Sequence, residues 1–269
     1  MWKPQRRIET DYQRQLHQLF VKFGEAIITS RKHDLIMRMT NEIVKSPWFK
    51  NFAQFSVERM ITMTRNDTAK SWREAARQSS HGREIYEALK RETDQDKIYQ
   101  ELFARNMYYI KSAPIDMAER MSKLAEEEQL KGKRPEWISE QLKALFPGIA
   151  KAKANLIART EASKVSSELV QARAEKLGYN WYTWKTSSDQ RVRRSHAHME
   201  GVLIRYDTPP SPERLRGEKS YGEYNAGETF NCRCYASVMF DVDEISWPHK
   251  VYYGKRIVTM TKKQFREIM

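Results

Sequence analysis

The sequence predicts an α+β protein: a mostly helical N-terminal region followed by a small mixed α/β C-terminal domain with a short sheet. Three observations carry this reading. Up to Leu177, apolar residues recur at spacings of three and four, which puts them on one face of a helix. After Gly178 the pattern switches to the period of two that marks a strand, in Asn180-Trp181-Tyr182-Thr183-Trp184-Lys185-Thr186. Between later strand candidates, Thr208–Gly227 gathers Pro209, Pro210, Pro212, Gly217, Gly222 and Gly227, so it reads as a long irregular excursion. At 269 residues the chain can bury more than one core. The periodicities divide it into a helical region at 1–110, helical hairpins with a long connecting helix at 111–178, and a small α+β domain with a candidate His/Cys metal site at 179–269.

The first helix carries Tyr12, Leu16, Leu19, Phe23 and Ile27 on one face and ends near Ser30. Leu35, Ile36, Met39 and Ile43 continue the pattern to Lys45, where Ser46-Pro47 breaks it because a residue before proline avoids helical geometry. Trp48–Arg65 is the next helix. Asn66–Gln95 is more polar, anchored only by Trp72, Ile85 and Leu89, and reads as a loosely packed helix pair. After Ile98, Leu102 and Ile110, Ser112-Ala113-Pro114 reads as the start of a helix carrying Met117, Met121 and Leu124, with Gly132 as its exit. Pro135 restarts a helix through Ile138 and Leu142, and Pro147-Gly148 stops it. Ile149–Leu177 is the longest helix, closed by Gly178, which tolerates the left-handed turn of a helix end. Its Arg159 and Glu161 read as an ion pair or junction in preference to a catalytic pair. Val202-Leu203-Ile204, Tyr235–Val242 and Val251–Thr259 read as strands, and Thr261 as the cap of a short terminal helix.

The net charge is +13, and it is scattered: 33 basic and 24 acidic residues up to Tyr179, 15 and 11 after it. No single tail accounts for it, so the whole surface favours polyanions, nucleic acid above all. No apolar run approaches the roughly 20 residues of a membrane span, and the first residues lack the order of a secretory signal. The expectation is a protein that stays in a reducing cytoplasm without a membrane partner. The sequence holds no phosphate-cradling P-loop, no nucleophile elbow and no GxGxxG after a strand, which argues against the common enzyme classes.

The two cysteines stand as Cys232-Arg233-Cys234, a spacing at which unstrained disulfide geometry is rarely reached, so thiol chemistry or metal ligation is the better question. Cys232, Cys234 and His196 offer the sulfur and imidazole donors that zinc accepts, with His198, Asp189 or a water as the fourth ligand. The alternative keeps Cys234 as a small packed hydrophobe, Cys232 as a free thiol and the histidines in solvent. Basic residues near aromatics could pair with phosphates and stack on bases: Lys185 beside Trp184, and Lys250, Lys255 and Arg256 around Tyr252 and Tyr253. Arg191, Arg193 and Arg194 complete the candidate nucleic-acid set.

A group of landmarks resembles the phage head morphogenesis family, minor head proteins that include the F protein of phage Mu. They are Arg159-Thr160-Glu161, Gly178-Tyr179, Trp184 with Thr186, Asp189, Arg191, the His196…Gly201 spacing, and Asn231-Cys232-Arg233-Cys234. The resemblance covers roughly residues 100–240. Many members have Cys-x-x-Cys where this chain has Arg193 and His196, a departure from any simple four-cysteine zinc site. The resemblance implies a few-copy component of the virion head interior, near the portal, assembled in the host cytoplasm. Its implied partners are the portal protein, phage DNA bound without sequence preference, and scaffold or major capsid protein. A metal-dependent nuclease is the alternative from another class.

Overall fold

The computed structural model describes residues 2–28, 33–78, 81–92 and 96–269. The first helix, α1, spans Arg6–Ile27 and buries Tyr12, Leu16, Leu19, Phe23 and Ile27, the face the spacing predicts. It begins ahead of Tyr12, and Ser30 lies outside the described residues. Helix α2 is His33–Lys45 and α3 is Pro47–Gln78. The Ser46-Pro47 break holds because Ser46 satisfies both flanking ends. Its hydroxyl donates to the Ile43 carbonyl at 2.6 Å and accepts from the Phe49 amide at 3.4 Å, while Pro47 needs no donor at the first helical position. The polar interval is not loosely packed. Its described part is the end of α3 plus α4, Gly82–Lys90, and its anchors Trp72 and Ile85 are wholly buried; residues 79–80 and 93–95 lie outside the description.

Two proline signals are overruled. Helix α5 runs unbroken from Lys97 to Leu130 through Pro114, so Ser112-Ala113-Pro114 is not a start, and the 110/111 division falls inside a helix. Helix α6 runs from Pro135 to Lys176 through Pro147, which does not stop it. A proline inside a helix forfeits one backbone hydrogen bond. In both helices apolar burial continues across the gap, with Ile110, Ala113 and Met117 in α5, and Phe146 and Ala150 in α6. The end of α6 is as predicted. Gly178 sits at φ 79°, its amide bonds to the Glu175 carbonyl at 3.0 Å and the Tyr179 amide to that of Ala174 at 2.8 Å, closing a Schellman motif.

The chain divides into two compact units that are discontinuous in sequence: Arg6–Thr62 with Tyr99–Glu161, and Met1–Gln5 with Met63–Ile98 and Ala162–Met269. The first is helical. Its interior holds Phe20, Phe23, Phe49, Val57, Leu102 and Phe146 at 2% exposure or less. Its charged landmarks form ion pairs: Arg159 with Glu9 and Arg105 with Glu161, each at 3.1 Å.

The second unit carries the sheet. Its elements are β1 (Trp181–Lys185), the short helix α7 (Arg194–His198), β2 (Leu203–Arg205), β3 (Tyr235–Val238), β4 (His249–Tyr253), β5 (Arg256–Met260) and α8 (Lys262–Arg266). The strand order is β3-β1-β2-β4-β5, parallel only between β2 and β4. The centre of the sheet, around β1 and β2, is buried on both faces, while β5 at its edge is not. Tyr182, Trp184, Ile204, Ala236 and Val238 pack with Val170 and Ala174 of α6 and Trp72 of α3, while Trp181, Leu203 and Val251 pack with Val242 and Phe265. The predicted single strand Val251–Thr259 is a hairpin that turns at Gly254-Lys255, both with positive φ, a two-residue turn without the Asn-Gly signature. The expected strand Tyr235–Val242 ends at Val238. Thr208–Gly227 is irregular as expected apart from one 3-10 turn at Arg214–Arg216. Thr261 caps α8 through a reciprocal capping box with Gln264. No described helix is long and apolar enough to cross a membrane.

Candidate metal centre

Three separate segments bring the site together. Strand β1 pairs with β3 in the register Trp184↔Ala236 and Lys185↔Tyr235, which sets Cys234 immediately before its edge. The turn ahead of β3 places Asn231 at φ 52°, folds the Cys232 amide onto the Thr229 carbonyl, and aims the Cys234 amide at the Cys232 sulfur at 3.3 Å. Helix α7 then presents His196 to the sulfurs. The end of the excursion is pinned from both sides: Ser167 of α6 donates to the Ala226 carbonyl at 2.6 Å, and the Ala226 amide donates to the Tyr182 hydroxyl at 3.2 Å.

His196 Nδ1 lies 3.4 Å from both Cys232 Sγ and Cys234 Sγ, and the three ligand atoms fall within 4.8 Å of one another. All three residues are buried, at 2–3% exposure, and both cysteines are free thiols. On the far side of the ring, His196 Nε2 is 3.0 Å from the Tyr224 hydroxyl, which itself donates to Glu213 Oε1 at 2.6 Å. Ser195 donates to the same carboxyl oxygen at 3.2 Å. The Tyr224 hydroxyl donates to Glu213, so its oxygen is free to accept from Nε2, and Nδ1 is the nitrogen that faces the sulfurs. Trp184 closes the apolar side, edge-on to His196 with centroids 5.6 Å apart.

The electrostatics follow from this geometry. The Cys232 thiol is held well below its ordinary value, first by the hydrogen bond from Cys234 and then, against desolvation, by His196. Cys234 is pushed up by the same bond and by burial. Burial and the Glu213 carboxyl push the Tyr224 hydroxyl up, which keeps it a donor.

The other predicted ligands are not brought in. On a helix, residues two apart project about 200° apart, so His196 and His198 cannot face one point, and His198 is exposed. Asp189 accepts from Arg233 at 2.7 Å and from the Arg191 amide at 2.9 Å, tying its turn to the cysteine loop. Arg191 is exposed, 3.7 Å from Asp189. Arg193 does not reach freely into solution. Its guanidinium lies over Phe230 at 4.3 Å and Tyr221 at 5.6 Å and donates to the Phe230 carbonyl, joining the excursion to the cysteine loop. Arg194, Lys255 and Arg256 are exposed, the last two at the β4–β5 turn. Sequence reasoning missed Tyr224, Glu213 and Ser195. The only signal for the first two was their position in a long excursion between the ligand segments.

Residues 119–237 match the family model described as Phage Mu protein F like protein. An uncharacterized protein of Haemophilus influenzae (strain Rd) is 30% identical over 163 residues, 61% of this chain and 33% of its own length. The chain thus spans about a third of the curated relative it matches. No solved structure matches. The matched span contains His196, Cys232 and Cys234, so the part of this chain that is similar to the Phage Mu protein F like family includes the whole buried donor group.

Proposed function

We propose that the protein is a phage minor head protein, a few-copy internal component of the virion that acts in head assembly with the portal protein and contacts the packaged DNA. The observation that supports this reading is the family match across 119–237, which takes in the long helix, the irregular excursion and the buried His/Cys group. The net charge of +13 supports the DNA contact, as do Arg194, Lys255 and Arg256, which are exposed and make no ion pair among the described residues. Scaffold and major capsid protein are further partners of the same reading.

Co-expression with the portal protein and quantitation of the protein in purified heads tests the proposal. Co-purification and a few copies per head are expected; absence from heads together with no portal association overturns it. Binding to double-stranded DNA should weaken steeply from low to physiological salt. The triple variant R194A/K255A/R256A should lower the log–log salt slope by up to about 3, the three phosphate contacts it removes. The nuclease reading draws no support from the geometry, because the three donors that come together, His196, Cys232 and Cys234, are 2–3% exposed and offer a phosphodiester no approach. Metal-dependent cleavage of DNA by the pure protein would restore it.

A further inference from the structure

We infer that His196 Nδ1, Cys232 Sγ and Cys234 Sγ bind one soft divalent cation of the zinc class, and that Tyr224 and Glu213 hold the imidazole in place for it. With zinc–sulfur and zinc–nitrogen bonds of about 2.3 and 2.0 Å, neighbouring ligand atoms on a tetrahedron stand about 3.5–3.8 Å apart. The two nitrogen–sulfur separations of 3.4 Å are within a small relaxation of that edge. Two sulfurs and an imidazole select zinc-like ions over magnesium or calcium, which take oxygen donors.

Two further features point the same way. A metal-bound histidine needs its other nitrogen tied to a carboxyl or similar acceptor, and here Nε2 meets Tyr224, which is itself held by Glu213. Two thiols and a carboxyl are also buried around one imidazole, and Glu213 Oε2 has no hydrogen-bond partner among the described residues. A dication neutralises the two thiolates it binds and offsets the cost of burying acidic groups together. His198 is exposed and Asp189 is engaged by Arg233, so neither is a ligand, and the protein donors are the three buried side chains. Closed within the protein, the ion acts as a staple: it joins α7 to the cysteine loop, and through Glu213 and Tyr224 it joins both to the excursion.

The test is metal analysis of the purified full chain, with cobalt(II) substitution read by sulfur-to-metal charge-transfer absorption. About one equivalent per chain is expected. C232S, C234S and H196A should each lose it, while H198A and D189N should retain it. Y224F and E213Q should keep the stoichiometry but weaken affinity by about 10–100-fold in chelator competition, as expected for partners that orient a ligand. If the cysteine variants fail to fold, alkylation of the native protein decides. Zinc added after chelation should slow modification of Cys232 and Cys234, and an unchanged rate overturns the site. So does native protein that neither carries nor takes up stoichiometric metal, or H196A that keeps a full equivalent. The head-protein proposal has a separate readout, so either can fail alone.

Discussion

The helical unit and the sheet-bearing unit hold their interiors with different materials. In the first, the centre is hydrocarbon presented at regular helical spacing by Leu16, Phe20, Phe23, Leu102 and Ile110, and its polar contacts include the hydrogen bond of Tyr12 to Asn106 and the ion pair of buried Glu161 with half-buried Arg105. In the second, thiols, an imidazole, a phenol and a carboxyl share the interior with Trp184 and Tyr182, and loops far apart in sequence supply them. The helical unit gains stability mainly from area removed from water, which any apolar side chain of the right volume supplies. The sheet unit depends on directional groups that must all be present, because a buried polar network with one member missing leaves the others unsatisfied.

The difference predicts contrasting responses to substitution. The largest effects are expected from F23A in the helical unit and R173A in the sheet unit. Phe23 is fully buried beside Phe146, and truncation should cost about 3–5 kcal/mol in denaturant unfolding, with no dependence on chelator. In the sheet unit, R173A should cost about 3–5 kcal/mol as well, by orphaning buried partners. Arg173 meets both carboxyl oxygens of Glu92, at 2.5 and 2.8 Å, and donates to Thr68 at 2.5 Å. R173K, which keeps the charge but loses the planar fork, should recover only part of that loss.

Gly24 in the helical unit and Gly227 in the sheet unit both stand where a methyl group does not fit, and the two should fail for different reasons. A Cβ on Gly24 would sit 1.9 Å from the Phe146 ring, so G24A should cost about 1–3 kcal/mol through overpacking and be partly rescued by F146L. Gly227 lies at φ 94° with a Cβ position 2.9 Å from the Cys234 carbonyl. G227A should also cost about 1–3 kcal/mol, and no smaller neighbour can rescue it, because the obstruction is backbone. The smallest effect is expected from H198A. The side chain is exposed two residues from the buried His196, and the change should stay within about 0.5 kcal/mol by thermal melting. A large loss there would break the distinction drawn between the two histidines.

What the sequence determined by itself is what periodicity and local chemistry can encode. The face of α1, the Ser46-Pro47 boundary, the Gly178 terminus, the Thr261 cap and the change of period after Gly178 depend on neighbours within a few residues, whereas Leu35 on the expected face of α2 is exposed. The family landmarks and the three donors His196, Cys232 and Cys234 were likewise legible, since residue type and short spacing carry them. Tertiary structure decided the rest. Pro114 and Pro147 read as boundaries from sequence, yet both lie within helices whose apolar faces stay buried on either side, and that packing outweighs one lost hydrogen bond. The hairpin at Gly254-Lys255 was hidden because both of its strands are apolar and its turn lacks the common residues. Asp189 and His198 have the right chemistry for the site, but a salt bridge and helical geometry direct them elsewhere. Glu213 and Tyr224 reach His196 across 17 and 28 residues of chain, a separation at which no local pattern reports on contact and only the folded loop brings the groups together.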